Sequence, residues 1–92
     1  MKKFKWNEDK NKEIQRRHNL RFEDLQGLEP IIIIEKHNPE KYPSQDAFIY
    51  VINDYPVFVP FVEEEDYIFL KNMIPKRAYK KLIKEIQDGK TK

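Results

Sequence analysis

Basic side chains in the last third of the chain have the types and spacing that phosphate chemistry needs. Lys71 follows the apolar run 68–70, and Lys76 and Arg77 follow Pro75. Because proline suits the first position of a helix, Lys76 and Arg77 are predicted to lie in a first helical turn, beside free backbone N–H groups. A strand end and a helix start would then fix positive charge at one edge of a small sheet. The pattern indicates a site for the phosphate backbone of RNA or DNA.

The chain also has side chains for each step of RNA cleavage without a metal. That reaction needs a base for the 2′-hydroxyl, positive charge on the phosphorane and a proton for the leaving oxygen. Arg77 is the first candidate for the charge, because a guanidinium grips phosphate oxygens at two points. Lys71 and His37 are candidates for proton transfer, and Tyr79 for catalysis or base stacking. The predicted catalytic residues are Arg77, Lys71, His37 and Tyr79.

Each catalytic candidate also has a non-catalytic interpretation. An arginine such as Arg77 is common on a charged helix, and an edge-strand lysine such as Lys71 discourages aggregation. A single loop histidine such as His37 is more often exposed and idle. Tyr79 and Ile83 would equally form an apolar patch for a protein partner. The sequence alone leaves these alternatives open.

A further set of residues is predicted to contact RNA rather than to catalyse. Trp6 could stack on a base, since every base has a π face, although core packing or a partner contact suits it better. The four acids 63–66 do not converge on one point, so they are interpreted as a hairpin tip or a dock for a basic partner segment. We expect no metal and no cofactor. The predicted RNA-binding residues are Lys41, Lys76, Lys80, Lys10 and Trp6.

The charge of the chain is unevenly distributed along its length. The net charge is +2 over 92 residues, but residues 1–70 carry 10 Lys and Arg against 14 Asp and Glu, a net charge of −4. Residues 71–92 carry 8 Lys and Arg against 2 acids, a net charge of +6. The distribution predicts a basic C-terminal face, with a simple solvated helix face as the alternative.

Size and composition place further bounds on the protein. A chain of 92 residues is expected to form one domain, 1–92. The absence of cysteine excludes disulfides and thiolate chemistry. No apolar run approaches the roughly 18–20 residues of a membrane span. We therefore expect a cytoplasmic protein with no membrane partner.

The hydrophobic pattern predicts the order β-α-α-β-β-β-β-α. A short edge strand 4–6 precedes a helix that Asn7 caps and that runs to about His18. Phe22, Leu25 and Leu28 mark a second helix. Strands are expected at 31–34, 48–52, 57–62 and 67–70, with the first buried in part on both faces and Pro60 at an edge or a bulge. The last helix is expected to start at Pro75.

This order predicts an α+β fold. Consecutive strands joined by short turns imply a small antiparallel sheet. Two N-terminal helices and a basic C-terminal helix are expected to cover one face and one end of it.

Motifs in five segments of the chain, in the right order, carry a resemblance to a known family, and the motif at 74–77 lies within the segment 69–77. Segments 4–11, 17–24 and 74–77 resemble F-x-W-D-x-x-K-N, K-H-G-[VI]-x-F-E-[ED] and I-S-A-R. Segments 37–45, 59–62 and 69–77 resemble the motifs H-P-N-x-x-K-Y-P-[NS]-Q, V-P-F-V and F-L-K-T-I-I-P-S-R of a narrower branch. The chain thus resembles the BrnT family of toxins of type II toxin–antitoxin systems, in the RelE/ParE superfamily, over nearly its whole length.

The resemblance implies a RelE-like sheet with helices packed on it. It implies an endoribonuclease that arrests translation. It also implies a cognate antitoxin, usually a ribbon-helix-helix protein, that blocks the toxin and binds operator DNA, so that operator contact comes only through the antitoxin.

The chain departs from the family pattern at several positions, and Asn38-Pro39 reverses the Pro-Asn of the branch motif. Asn19 replaces a glycine, Asn72 and Lys76 replace a threonine and a serine of the branch, and Pro75 replaces a serine of the wider family. Two alternatives therefore stay open beside the nuclease. One is a toxin that is not a nuclease and acts on gyrase, and the other is a catalytically degenerate toxin that serves as a co-repressor.

Overall fold

The computed structural model describes residues 2–89, which form two α-helices, six strands and two 3-10 turns. The first half of these elements comprises β1 (Lys3–Lys5), α1 (Glu8–His18), a 3-10 turn (Phe22–Leu25), β2 (Ile32–Ile34) and β3 (Asp46–Ile52). The second half comprises β4 (Tyr55–Glu63), β5 (Tyr67–Leu70), β6 (Ile74–Pro75), a 3-10 turn (Arg77–Tyr79) and α2 (Lys80–Gly89). No helix in residues 2–89 is both long enough and apolar enough to cross a membrane.

The strands form one mixed sheet in the order β1-β5-β4-β3-β2, and β6 pairs with β4 beside β5. The pairings of β2, β3, β4, β5 and β6 are antiparallel, but β1 runs parallel to β5. The α+β prediction is confirmed, and the expectation of a purely antiparallel sheet is wrong at β1. Hairpin turns predict only the pairing of strands adjacent in sequence, and β1 reaches the sheet edge with no such constraint.

The first helix forms where the sequence predicts it. The side chain of Asn7 accepts a hydrogen bond from the backbone N–H of Lys10 at 3.0 Å, and acidic residues fill the first turn. Asn19 ends the helix in the left-handed conformation at φ 55°. Asparagine is the residue other than glycine that adopts this conformation most readily. The replacement of the family's glycine at this position therefore preserves the helix end.

The predicted second N-terminal helix is wrong. Phe22 and Leu25 lie in a single 3-10 turn, and both are buried. Leu28, the third apolar residue of the predicted helix, is 43% exposed beyond Gly27 at φ +81°. Because one turn already places both buried side chains in the core, nothing drives the helix further.

One other prediction needs correction at the strands. The isoleucine block forms an edge strand in which Ile33 is 56% exposed, so one face is not buried. Pro60 lies on the central strand β4 at a bulge in its pairing, where residues 59–60 oppose the three residues 71–73. It is tolerated because β4 pairs with β6 through Val57 and Phe58 and with β5 from Phe61 onward. Pro60 falls between the two, where no partner needs its missing N–H.

The predicted start of the last helix at Pro75 is also wrong. Pro75 belongs to β6, where it pairs with Val57, and the 3-10 turn begins only at Arg77. The N–H of Lys76 donates to the carbonyl of Pro56 at 3.0 Å, which continues the strand-like pairing. A strand of two residues is too short to show an alternating pattern in the sequence. Ile74 also fits the helical spacing of the residues after it, so the sequence predicts a helix there.

The sheet buries side chains on both faces. On one face, α1 and the first 3-10 turn cover a cluster that includes Phe48 stacked on Phe61 at 4.0 Å between ring centroids. Burial raises the pKa of Tyr50 in this cluster to about 12, so its phenol stays neutral. The other face carries a smaller cluster with Phe58, which α2 covers through Ile83. The smaller cover leaves part of the second face open.

Asn11 joins α1 to the first 3-10 turn. It is 7% exposed, its Oδ1 accepts from the N–H of Phe22 at 2.8 Å and its Nδ2 donates to Glu23 at 2.8 Å. The Asn11 hydrogen bond is the largest cause that lowers the pKa of Glu23 below its ordinary value. One amide thus serves a buried backbone donor and a carboxylate together.

We predict that Asn11→Ala lowers the free energy of unfolding by about 2–3 kcal/mol, because a buried N–H loses its acceptor. Lys12→Ala, an exposed neighbour, should change it by less than about 0.5 kcal/mol. The Glu23 contribution exists above its unfolded-state pKa and is lost as the pH falls through the lower folded-state pKa. The gap between wild type and Asn11→Ala in urea unfolding should therefore narrow in acid, and equal stability at neutral pH would contradict the role of Asn11.

Candidate functional site

Two proline carbonyls on β4 fix the backbone of the two predicted lysines. The N–H of Lys71 donates to the carbonyl of Pro60 at 2.8 Å, and the N–H of Lys76 donates to the carbonyl of Pro56 at 3.0 Å. Both prolines are buried in the central strand. The two hydrogen bonds therefore fix the backbone at Lys71 and at Lys76, the two ends of the segment 71–76 that follows β5 and contains β6. This segment is here named the β5–β6 crossing.

Phe58 is the platform that other predicted residues share. It is 5% exposed, and the ring of His37 meets it edge-on at 5.2 Å between centroids. The ammonium of Lys76 lies 4.3 Å from the centre of the same ring, and the Tyr79 ring stacks on it at 6.0 Å and an interplanar angle of 5°. A buried aromatic ring on a central strand thus holds an imidazole and an ammonium side by side.

The loop between β2 and β3 folds over this platform through local hydrogen bonds. Lys36, at φ 49°, turns the chain, and its N–H donates to Asp46 at 2.8 Å. The N–H of Tyr42 donates to the carbonyl of Asn38 at 2.7 Å, and that of Gln45 to the carbonyl of Tyr42 at 3.1 Å. The loop is polar and proline-rich, and these hydrogen bonds order its backbone between β2 and β3.

The loop, β4 and the β5–β6 crossing enclose an open cavity of about 450 Å³, here named the lysine cavity. No carboxylate is among its lining residues, although the chain has 16 Asp and Glu. Two lysines and an imidazole therefore line the cavity with no carboxylate beside them, and the ammonium of Lys71 lies 5.2 Å from the centre of the Phe69 ring. The lining residues are His37, Asn38, Tyr42, Gln45, Phe58, Pro60, Lys71, Asn72, Ile74 and Lys76.

The amide side chains of the lysine cavity have their oxygens engaged. Oδ1 of Asn38 accepts from the N–H of Lys41 at 3.2 Å, and Oδ1 of Asn72 accepts from the N–H of Met73 at 2.9 Å. Oε1 of Gln45 faces Nε2 of His37 at 3.4 Å. Each of these amides also carries an NH₂ group that can donate to a ligand. With the lysines, they make the cavity a site for a ligand rich in acceptor oxygens.

The structure brings three predicted site residues together and separates the others. His37, Lys71 and Lys76 line the lysine cavity, and Lys41 lies at its rim with its ammonium 5.5 Å from the Tyr42 ring centre. Tyr79 lies behind Phe58.

Four predicted residues lie elsewhere. Arg77 is exposed outside the lysine cavity, and Lys80 lies over the Tyr55 ring at 5.1 Å. Lys10 is on α1, where it pairs with Glu13 at 3.3 Å. Trp6 stacks on Phe22 at 5.5 Å, the packing role that suits it better. Their roles in RNA binding or catalysis stay predictions.

Sequence reasoning did not select several residues of the lysine cavity. Tyr42, Gln45 and Asn38 belong to the loop motif 37–45, but nothing in a motif shows which side chains face inward. Phe58 was assigned only to a strand, since burial beneath a loop leaves no periodic signal. Asn72 was noted only as a departure from the family pattern.

Comparison with known proteins adds no relationship to this picture. No family model, no curated protein and no solved structure matches the chain.

We predict that Phe58→Leu releases His37 and Lys76 from their shared platform. It should lower the free energy of unfolding by about 1–2 kcal/mol and move the His37 imidazole signals in an NMR spectrum, because the ring current and edge contact are lost. Phe48→Leu is the matched control, since Phe48 is 6% exposed on the opposite face. It should cost similar stability and leave the His37 signals in place. Equal shifts in both variants would contradict the platform.

Proposed function

We propose that the protein is the toxin of a type II toxin–antitoxin pair and acts as an endoribonuclease that cuts RNA and inhibits translation in the cytoplasm. One observation carries the proposal. His37, Lys71 and Lys76 line one open cavity that has no carboxylate and to which Asn38, Gln45 and Asn72 contribute NH₂ groups. A phosphodiester offers this cavity a negative charge and acceptor oxygens, and the imidazole supplies a proton acceptor.

His37 is the proposed general base. In the tautomer in which Nε2 donates to Oε1 of Gln45, 3.4 Å away, Nδ1 keeps its lone pair. Nδ1 takes the proton of a 2′-hydroxyl, and the 2′-oxygen attacks the neighbouring phosphorus. The P–O bond to the 5′-oxygen breaks, which leaves a 2′,3′-cyclic phosphate on one fragment.

The two lysines supply the remaining parts of the reaction. Lys76, held over Phe58 beside His37, stabilises the added charge on the phosphorane. Lys71 gives a proton to the leaving 5′-oxygen, so the second fragment begins with a 5′-hydroxyl. These roles require no metal ion and no cofactor.

The fold and the partner belong to the same proposal. The antiparallel pairing of β2 to β5 and the C-terminal helix packed on the sheet suit a RelE-like arrangement, with one N-terminal helix instead of two. By the motif resemblance, a ribbon-helix-helix antitoxin binds and blocks the chain and carries it to operator DNA.

One observation favours a second candidate. Arg77, the family position expected to clamp phosphate, does not line the lysine cavity. A toxin without that clamp would be a co-repressor that acts only with its antitoxin. The gyrase-directed alternative has no structural feature in its favour.

We predict that the purified chain cuts RNA in the presence of a metal chelator and leaves 2′,3′-cyclic phosphate and 5′-hydroxyl ends. His37→Ala should lower the cutting rate by about 100-fold or more, because the base is lost. Combined Lys71→Ala and Lys76→Ala should lower it at least as much, since the proton for the leaving oxygen and the charge on the phosphorane are both lost. End mapping of a defined single-stranded RNA measures both effects.

The charge-matched control is Lys12→Ala combined with Lys81→Ala. Both lysines are exposed and lie outside the lysine cavity, so this variant should cut like wild type. Full activity in His37→Ala would remove the base assigned here. Induction of the chain in cells without antitoxin separates the alternatives. Growth arrest with intact RNA and damaged DNA indicates the gyrase-directed toxin, and no arrest indicates the co-repressor.

A further inference from the structure

A second depression continues from the lysine cavity along α1 and is here named the α1 groove. Lys10, Arg17 and His18 line it on the side of the helix, and its volume is about 230 Å³. Asn72 and Ile74 line both the α1 groove and the lysine cavity. The α1 groove lies on the sheet face that α1 covers and the lysine cavity on the face that carries Phe58, and the two depressions adjoin at these two residues.

A single carboxylate holds both cations of the α1 groove. One oxygen of Glu13 lies 3.3 Å from the ammonium of Lys10, and the other lies 3.6 Å from the guanidinium of Arg17. These are the (i, i+3) and (i, i+4) positions of one helix. The side chain of Arg17 is 70% exposed and that of Glu13 is 38% exposed, so both pairs are accessible to solvent.

We infer that the α1 groove binds a further phosphate of the same RNA strand that the lysine cavity holds, and that Glu13 weakens this contact. The inference rests on the proposed function, because the strand is located by the phosphodiester in the lysine cavity. It adds Arg17 and His18 to the binding surface and gives Glu13 a role that opposes binding.

Exchange of partners is favourable here because exposed ion pairs are weak. A solvent-exposed pair contributes little, so a phosphate can take the place of the carboxylate at Arg17 and Lys10. A guanidinium also suits the paired oxygens of a phosphate. Glu13 stays close by and repels the incoming charge, so its removal should tighten binding.

The RNA strand could instead leave the lysine cavity on the other side of Lys71, but that side is less suitable for a phosphate. There a third depression carries Asp9 and Glu13 against Lys10 and Lys71, so its charges balance. The α1 groove has only Glu13 against the two cations Lys10 and Arg17, with the imidazole of His18 beside them. Charge thus directs the strand along the C-terminal part of α1.

We predict that Glu13→Gln raises the affinity for single-stranded RNA about 3- to 10-fold at low salt. The probe is a labelled RNA of about 12 nucleotides whose 2′-hydroxyls are all methylated, so that it cannot be cut. Glu29→Gln is the control. This substitution removes the same charge, and Glu29 is exposed and lies in neither depression. An affinity gain in both variants would reflect net charge alone and overturn the role of Glu13.

The combined change Lys10→Ala and Arg17→Ala tests the groove itself. It should weaken binding of the long probe about 10-fold and lower its salt dependence by about 0.7 per lost phosphate contact. A methylated trinucleotide, which fills only the lysine cavity, should bind as to wild type. Lys12→Ala with Arg16→Ala is the matched control, with the same charge lost from exposed positions of the same helix outside the groove.

Distinct results overturn the two proposals. If wild type cuts RNA but the two double variants bind the long probe equally, the α1 groove carries no phosphate and the nuclease proposal stands. If wild type binds neither probe, the proposed function fails and the groove inference fails with it.

Discussion

The pairing of β4 with two strands in succession is the constraint on which the rest of the structure depends. β6 pairs with the first half of β4, and β5 pairs with the second half of β4. The chain between β5 and β6 connects these two pairings. The carbonyls of Pro56 and Pro60 accept the N–H groups at the two ends of the β5–β6 crossing. Because these carbonyls belong to a buried central strand, the positions of Lys71 and Lys76 follow from the sheet and not from a flexible loop.

The same strand explains why the basic residues face a neutral wall. Phe58 lies between the two prolines and presents a ring to His37 and Lys76. An aromatic face attracts a cation without neutralising it, whereas a carboxylate would occupy it. The lysine cavity therefore keeps its charge for a ligand. On α1 the opposite holds, since Glu13 occupies Lys10 and Arg17. Both regions are basic, but the lysines of the lysine cavity have no carboxylate beside them, whereas the cations of the α1 groove are paired with Glu13.

Local signals in the sequence predicted much of the fold and part of the site. The Asn7 cap and the end of α1 form as predicted, and the Asn53–Asp54 turn adopts the positive φ that these residue types favour. These features depend on neighbours a few residues away, so a single sequence carries them. The parallel β1, the two-residue β6 and the single 3-10 turn at Phe22 were missed. Each is decided by partners far along the chain, which periodicity does not record.

The sequence by itself determined the chemistry available: basic residues near the end of the chain, a histidine in a polar loop and no cysteine. It also determined the local caps and turns, because short-range backbone hydrogen bonds decide them. Only the tertiary structure decided which residues meet. It brought His37 to Lys71 and Lys76 from a distant loop, and it left Arg77 outside the cavity. The reason is that β6 takes Pro75 into the sheet, so the helix start predicted there does not form, and long-range strand pairing overrides the local preference.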